Sequence, residues 1–109
     1  MKRTMVAALA ALVSAPSWAQ ADVPRYDPAA HCKRIASIGS SSAVIERTCL
    51  QTEQSAYDDL KRRWDKVPSE TASHCDRIAR VGGDGTYVIL KTCIETETDA
   101  AENMPAFNF

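Results

Sequence analysis

The chain has 109 residues, with 13 basic and 14 acidic side chains and a formal net charge of −1. A chain of this length forms one small domain by default and buries only a modest apolar core. Because the balance is slightly acidic and no basic stripe is present, binding to nucleic acid is not expected.

The first predicted element is a secretory signal peptide. Two basic residues precede an apolar run over residues 5–13, and small residues then fit a cleavage site after Ala19 or Ala21. We therefore predict a leader over residues 1–21 and no membrane span, since the apolar run is too short for one. No cysteine stands at the cleavage point, so we expect a periplasmic or secreted protein without lipid attachment.

After a lead-in over residues 22–29, the chain contains two copies of a similar sequence. HCKRIASIG at residues 31–39 recurs as HCDRIARVG at residues 74–82, an offset of 43, and residues 44–56 recur in part at 88–100, an offset of 44. The extra residue falls between the matched segments, where a loop tolerates insertion. The pattern indicates an internal duplication.

Each copy has the pattern of a helix, a glycine turn and a second helix. Gly39 and Gly82 stand where the first helix should end, and Ser42 and Thr86 can cap the second. In the first copy, helical spacing extends the second helix from Ser42 to Lys66, with one stripe on its inner face. That stripe comprises Ile45, Cys49, Thr52, Ala56, Leu60, Trp64 and Val67.

Pro68 marks the break between the copies. We predict a helical hairpin over residues 30–67, a second over residues 68–102 and a C-terminal tail over residues 103–109. The tail ends in Phe107 and Phe109, which we expect to pack on the core or to fray.

Four cysteines allow three disulfide pairings. Cys32 and Cys49 each lie seven residues from their turn, as do Cys75 and Cys93, so the members of each pair are level in an antiparallel hairpin. This spacing favours the two pairs within the hairpins, each worth about 3 kcal/mol in the chain-entropy model. The predicted fold is all-α: two disulfide-stapled antiparallel hairpins in a four-helix arrangement.

Recurring glutamates and histidines are candidate buried or interacting polar groups. Glu53 and Glu97 point toward the apolar stripe, and we expect each to accept backbone N–H groups at the first helix of its own hairpin, near Pro28 or Thr71. His31 and His74 lie on the apolar side of their helices. Each can also meet the glutamate of its own hairpin.

Such a histidine–glutamate pair is also used in general bases and metal sites, so weak metal binding is one alternative. No metal-ligand spacing, Cys-x-x-Cys, nucleophile motif or phosphate loop is present, however. We expect no catalysis and no cofactor.

Arginines recur as Arg34 and Arg77 on the outer faces of their helices. Solvent is their ordinary environment. If the hairpins pack with a pseudo-twofold relation, both arginines border one groove with Tyr57, Trp64 and Tyr87. An arginine and aromatic groove is a candidate protein-binding surface.

The duplicated Cys-x-x-Ile-Ala, glycine turn and Cys-x-x-x-Glu pattern resembles that of small exported bacterial proteins, a group that implies no particular activity. The resemblance covers residues 30–102, although the first copy lacks a counterpart of Tyr87. CLQTE at residues 49–53, followed by YDDL at 57–60, also resembles LprI-type lysozyme inhibitors. That second resemblance implies an acidic face that enters a basic enzyme's cleft.

From these observations we expect an exported, non-catalytic binding or interaction protein of the bacterial cell envelope, with another protein as partner. Inhibition of a basic cell-wall hydrolase is the alternative with an enzyme target. Loss of Lys2 and Arg3 with the leader would take the net charge from −1 to −3, which suits such a target. The oligomeric state is left open by the sequence.

Overall fold

The computed structural model describes residues 22–109, and the predicted leader lies outside them. Over this range the chain is helical and contains no strand, which confirms the all-α prediction. The elements are α1 (Pro28–Ala36), α2 (Ala43–Arg63), a 3-10 turn (Trp64–Lys66), α3 (Ser69–Ala79) and α4 (Tyr87–Glu102). Within residues 22–109, no helix has the length and apolar character needed to cross a membrane.

Two disulfides close the hairpins as the cysteine spacing predicts. Cys32 bonds to Cys49 and Cys75 bonds to Cys93, with a Cα separation of 5.5 Å in each pair. Cys32 and Cys75 are fully buried. Two formed disulfides are typical of a protein that resides in an oxidising compartment.

Side-chain caps begin three of the helices. Asp27 accepts the N–H of Ala30 at 3.1 Å, and Ser42 accepts that of Ile45 at 3.2 Å. Thr86 accepts that of Ile89 at 3.5 Å. The expected caps on α2 and α4 are therefore confirmed.

The two turns use glycine differently. Gly39 has a φ of +84°, as expected of a residue that ends a helix. In the second turn, Gly83 and Gly85 take positive φ values and Gly82 does not. Gly85 is also where Tyr26 packs against the backbone, and a Cβ at Gly85 would lie 2.6 Å from the tyrosine ring.

The main core lies between the hairpins rather than inside either one. It contains buried side chains from α2, α3 and α4: Ala56, Leu60, Cys75, Ala79, Tyr87, Leu90 and Ile94. Trp64 and Val67 pack against this cluster, as the stripe predicts. Ile45 is 47% exposed, however, because the start of α2 extends past the second hairpin.

The hairpins are displaced along a common direction, and α2 runs parallel to α4. Equivalent residues of the two copies differ by 44 in number, whereas residues hydrogen-bonded between α2 and α4 differ by 32–35. The second hairpin is therefore shifted by about ten residues, or about 15 Å, at 1.5 Å per residue. This stagger leaves the start of α2 and the end of α4 without a neighbour in the other hairpin.

Candidate interaction site

Glu53 joins the two hairpins through the start of α4. Its side chain is 3% exposed and accepts the Tyr87 N–H at 2.6 Å, the Thr86 hydroxyl at 2.6 Å and, more weakly, the Val88 N–H at 3.5 Å. Free N–H groups and the helix dipole make a helix start a favourable site for a carboxylate. The negative charge is thus buried together with donors that satisfy it.

The sequence correctly indicates that Glu53 accepts bonds at a helix start, but the expected helix was wrong. The start of α1, where Pro28 stands, already has the Asp27 cap, and proline offers no N–H. The first turn of α4 contains no acidic residue of its own. Because of the stagger, Glu53 lies beside that turn and supplies the missing carboxylate.

Three tyrosines pack around the same helix start. The Tyr87 ring stacks on Tyr26 at 4.6 Å between centroids and meets Tyr57 at 4.8 Å. The Tyr87 hydroxyl donates to the Pro24 carbonyl at 2.8 Å and accepts the Tyr26 N–H at 2.8 Å. Thus the segment treated as a lead-in is part of the tertiary structure.

Burial changes the acidity of two of these phenols. Desolvation, together with its hydrogen bond to Asp76, raises the pKa of Tyr26 far above the ordinary value. Desolvation also raises the pKa of Tyr87. Both rings therefore remain neutral and act as structural hydrogen-bonding groups at neutral pH.

The recurring histidines differ in their surroundings. His74 Nε2 lies 3.7 Å from Glu97 Oε1, and both side chains are about half exposed. This is the expected pairing within the second hairpin. Glu97 thus pairs with His74, in place of the expected backbone N–H groups near Thr71. In the first hairpin, the bonds of Glu53 to α4 take the place of the expected pairing with His31, which is partly buried.

Neither recurring arginine forms the expected groove. Arg34 pairs with Asp84 in the second turn, and Arg77 reaches Ser73 Oγ on its own helix at 3.4 Å. Tyr87 is only 4% exposed, and the small pocket that it lines with Tyr57 contains Arg25 rather than either repeated arginine. The pseudo-twofold packing assumed for that groove was wrong, because the hairpins are staggered in parallel.

Trp64 instead lines a different groove, beside the N-terminal segment. This groove has a volume of about 1110 Å³ and includes Tyr57, Arg25 and Arg62. Aromatic and arginine side chains do meet here, but the arginines are not the repeated ones. They belong to the lead-in and to the end of α2, for which the duplication gives no signal.

Charged contacts fasten α2 to α4 further along the interface. Arg63 lies 2.6 Å from Asp59 and 2.9 Å from Glu95, and Lys91 lies 3.8 Å from Asp59. Desolvation raises the pKa of Asp59, but Arg63, Lys91 and Arg62 outweigh it and hold the pKa below its ordinary value. These pairs are partly exposed, and they fix the register more than they stabilise the fold.

Both turns display aliphatic side chains at equivalent positions. In the first, Ile35 is 39%, Ile38 74% and Ile45 47% exposed. Their equivalents in the second are Ile78 at 42%, Val81 at 84% and Ile89 at 42%. We call these two sets the turn patches. Single exposed aliphatic residues are ordinary, but a set at one end of each hairpin is a candidate contact surface.

The C-terminal tail adds a smaller apolar feature. Phe107 and Phe109 are exposed and contact each other edge to face at 4.9 Å. They do not join the main core. Of the two arrangements considered for the tail, the structure shows the unpacked one.

Residues 22–109 contain no cluster of three or more histidine, cysteine, aspartate or glutamate side chains suited to a metal ion. No family model matches the chain, and the comparisons with curated proteins and with solved structures also gave no match.

Proposed function

We propose that this chain is an exported, non-catalytic protein-interaction module of the bacterial cell envelope. The observation that carries the proposal is the pair of turn patches, which expose equivalent aliphatic side chains at both hairpin turns. Burying such side chains against a partner gains about 25 cal/mol per Å² of apolar surface. The disulfides support a location where thiols are oxidised, and the predicted leader supports export.

The rigid part of the proposed surface is its base. Each turn connects two helices that a disulfide joins. A partner can therefore bind the aliphatic side chains without the entropic cost of ordering a long loop. Basic side chains stand close by in the sequence, Lys33 and Arg47 in the first hairpin and Arg77 in the second, whereas Arg34 is already paired with Asp84. A partner with an apolar groove and an acidic rim fits both turns.

The test compares two variants of the exported, oxidised protein. Ile38→Glu combined with Val81→Glu places a charge in each turn patch, and Ala29→Glu is a matched control at an exposed site on α1. Each protein is immobilised and exposed to a periplasmic extract of the source cells. We expect one protein to be retained saturably by the wild type and by the control, and its retention to fall at least tenfold with the double variant.

Equal retention by all three proteins would contradict the proposal. A second contradicting result is binding of the wild type to anionic phospholipid vesicles with the same dependence on the turn patches. That outcome would assign the patches to a lipid surface.

A second candidate function is inhibition of a basic cell-wall hydrolase. The favouring observation is the end of α4, which exposes four carboxylates within eight residues and has no basic residue in its last turn. They are Glu95, Glu97, Asp99 and Glu102. A basic lysozyme should be inhibited at low salt and less so at high salt. Glu97→Lys with Asp99→Lys should remove the effect, and no inhibition at high protein concentration contradicts this candidate.

A further inference from the structure

We infer that copies of this chain associate head to tail, with the end of α4 in one copy packing against the start of α2 in the next. The inference goes beyond the proposed function and uses different surfaces. It starts from the contact between the two hairpins, because an internal repeat shows how one unit binds the next. A displaced, parallel contact of this kind is heterologous, so it leaves one unused surface at each end.

The unused surface at the start of α2 is equivalent to a buried part of α4. Tyr87, Leu90 and Ile94 form the face of α4 that α2 covers, and each is at most 4% exposed. Their equivalents by the offset of 44 are Ala43, Glu46 and Leu50. We call these three residues the α2-start surface. Leu50 is 37% exposed and Ala43 is exposed, so the face that is covered in the second hairpin is open in the first.

The unused surface at the end of α4 is equivalent to the part of α2 that does the covering. Glu53, Ala56 and Leu60 are at most 4% exposed, whereas their equivalents Glu97, Ala100 and Met104 are all exposed. We call Glu97 and Ala100 of α4, together with Met104 two residues beyond its end, the α4-end surface. Placed as Glu53 is placed, Glu97 would accept the free N–H groups at the start of α2 in the next copy.

Charge favours the same arrangement. Four exposed carboxylates stand between residues 95 and 102, and this segment contains no basic side chain. The opposite end of the molecule carries Lys33 and Arg47 with Glu46, and Arg34 there is already paired with Asp84. Lys91 is the equivalent of Arg47. Where the two hairpins meet, it already lies close to Asp59 of α2. Opposite charges at the two ends attract successive copies and oppose contacts between like ends.

The α2-start surface is smaller and more polar than its buried counterpart, since alanine replaces Tyr87 and glutamate replaces Leu90. We therefore expect reversible association that depends on protein concentration. Sedimentation velocity of the exported, oxidised protein should show species larger than a dimer at high concentration. Their fraction should fall as salt is raised.

Two variants with one blocked end test the geometry. Leu50→Glu blocks the α2-start surface, and Ala100→Glu blocks the α4-end surface. Each variant alone should sediment as a monomer at concentrations where the wild type associates. An equimolar mixture should form dimers and nothing larger, because only one intact pair of surfaces then remains. Ala29→Glu is the matched control, since Ala29 is exposed on α1 and belongs to neither surface; it should associate as the wild type does.

Circular dichroism of each variant establishes that it is folded. A monomeric wild type at every concentration overturns the inference. So does a mixture that stays monomeric, which would indicate a symmetric contact in which both substitutions lie in one interface. Leu50→Glu and Ala100→Glu do not alter the turn patches. If self-association fails, the retention test of the proposed function therefore keeps its own outcome.

Discussion

Replacement of Glu53 by alanine tests whether its carboxylate holds the two hairpins together. The substitution removes two short charge-assisted hydrogen bonds, from Tyr87 N–H and the Thr86 hydroxyl, each 2.6 Å long. A bond to a charged group contributes about 1.5–3 kcal/mol, and the loss leaves the buried Tyr87 N–H without an acceptor. We therefore expect Glu53→Ala to lower the free energy of unfolding by about 4 kcal/mol.

Glu97 provides the matched control because it is the equivalent residue of the second copy. Its side chain is 48% exposed and its nearest charged partner, His74, is 3.7 Å away. Glu97→Ala should therefore cost less than about 0.5 kcal/mol, as for other exposed pairs. Glu53→Gln retains a carbonyl acceptor but loses the charge, and it should fall between the two alanine variants.

The assay is urea unfolding with both disulfides intact, followed by far-ultraviolet circular dichroism. The reasoning predicts the order Glu53→Ala, Glu53→Gln, Glu97→Ala from most to least destabilised. Equal losses for Glu53→Ala and Glu97→Ala would refute it, because the two residues differ only in what they contact. If Glu53→Ala does not fold, the comparison of Glu53→Gln with Glu97→Gln answers the same question.

Three further predictions concern the tyrosine cluster and the staples. Gly85→Ala requires alanine at a φ of +82° and places a methyl group against Tyr26, so thermal unfolding should occur at a clearly lower temperature; an unchanged midpoint would contradict the packing. The pKa values of Tyr26 and Tyr87 are raised in the folded protein, so the contribution of the neutral phenols to stability is complete below pH 10 and is lost as the pH rises above 10. Denaturant titrations at several pH values should show this loss of stability. The loss should be smaller in Tyr26→Phe. Replacing Cys32 and Cys49 by alanine should lower the free energy of unfolding by about 3 kcal/mol or more, measured against the intact protein, and no loss would contradict a stapling role.

The sequence was sufficient for the local architecture, because each hairpin is specified by residues close together in the chain. The equal spacing of Cys32 and Cys49 from their turn identified the bridge that the structure contains. The helix from Ser42 to Lys66 was expected from one apolar stripe, and α2 with the following turn covers nearly that range. Helical periodicity and cysteine spacing are short-range signals, which is why these predictions held.

Contacts between the hairpins could not be derived in the same way. Glu53 binds residues about 34 positions away, and that pairing depends on a stagger that no single helix encodes. Counting residues within the first hairpin placed Glu53 beside the start of α1, and a pseudo-twofold packing of the hairpins was the condition that placed Arg34 beside an aromatic groove. Tyr26 precedes the repeat altogether, so its stacking on Tyr87 has no counterpart from which to infer it.

Amide hydrogen exchange at the two equivalent helix starts tests the staggered packing most directly. Tyr87 in α4 and Ala43 in α2 occupy the same position in their copies, but only the Tyr87 N–H donates to Glu53. In dilute protein, where copies remain separate, we predict strong protection at Tyr87 and exchange close to that of an open helix start at Ala43. Similar exchange rates at both amides would contradict the account.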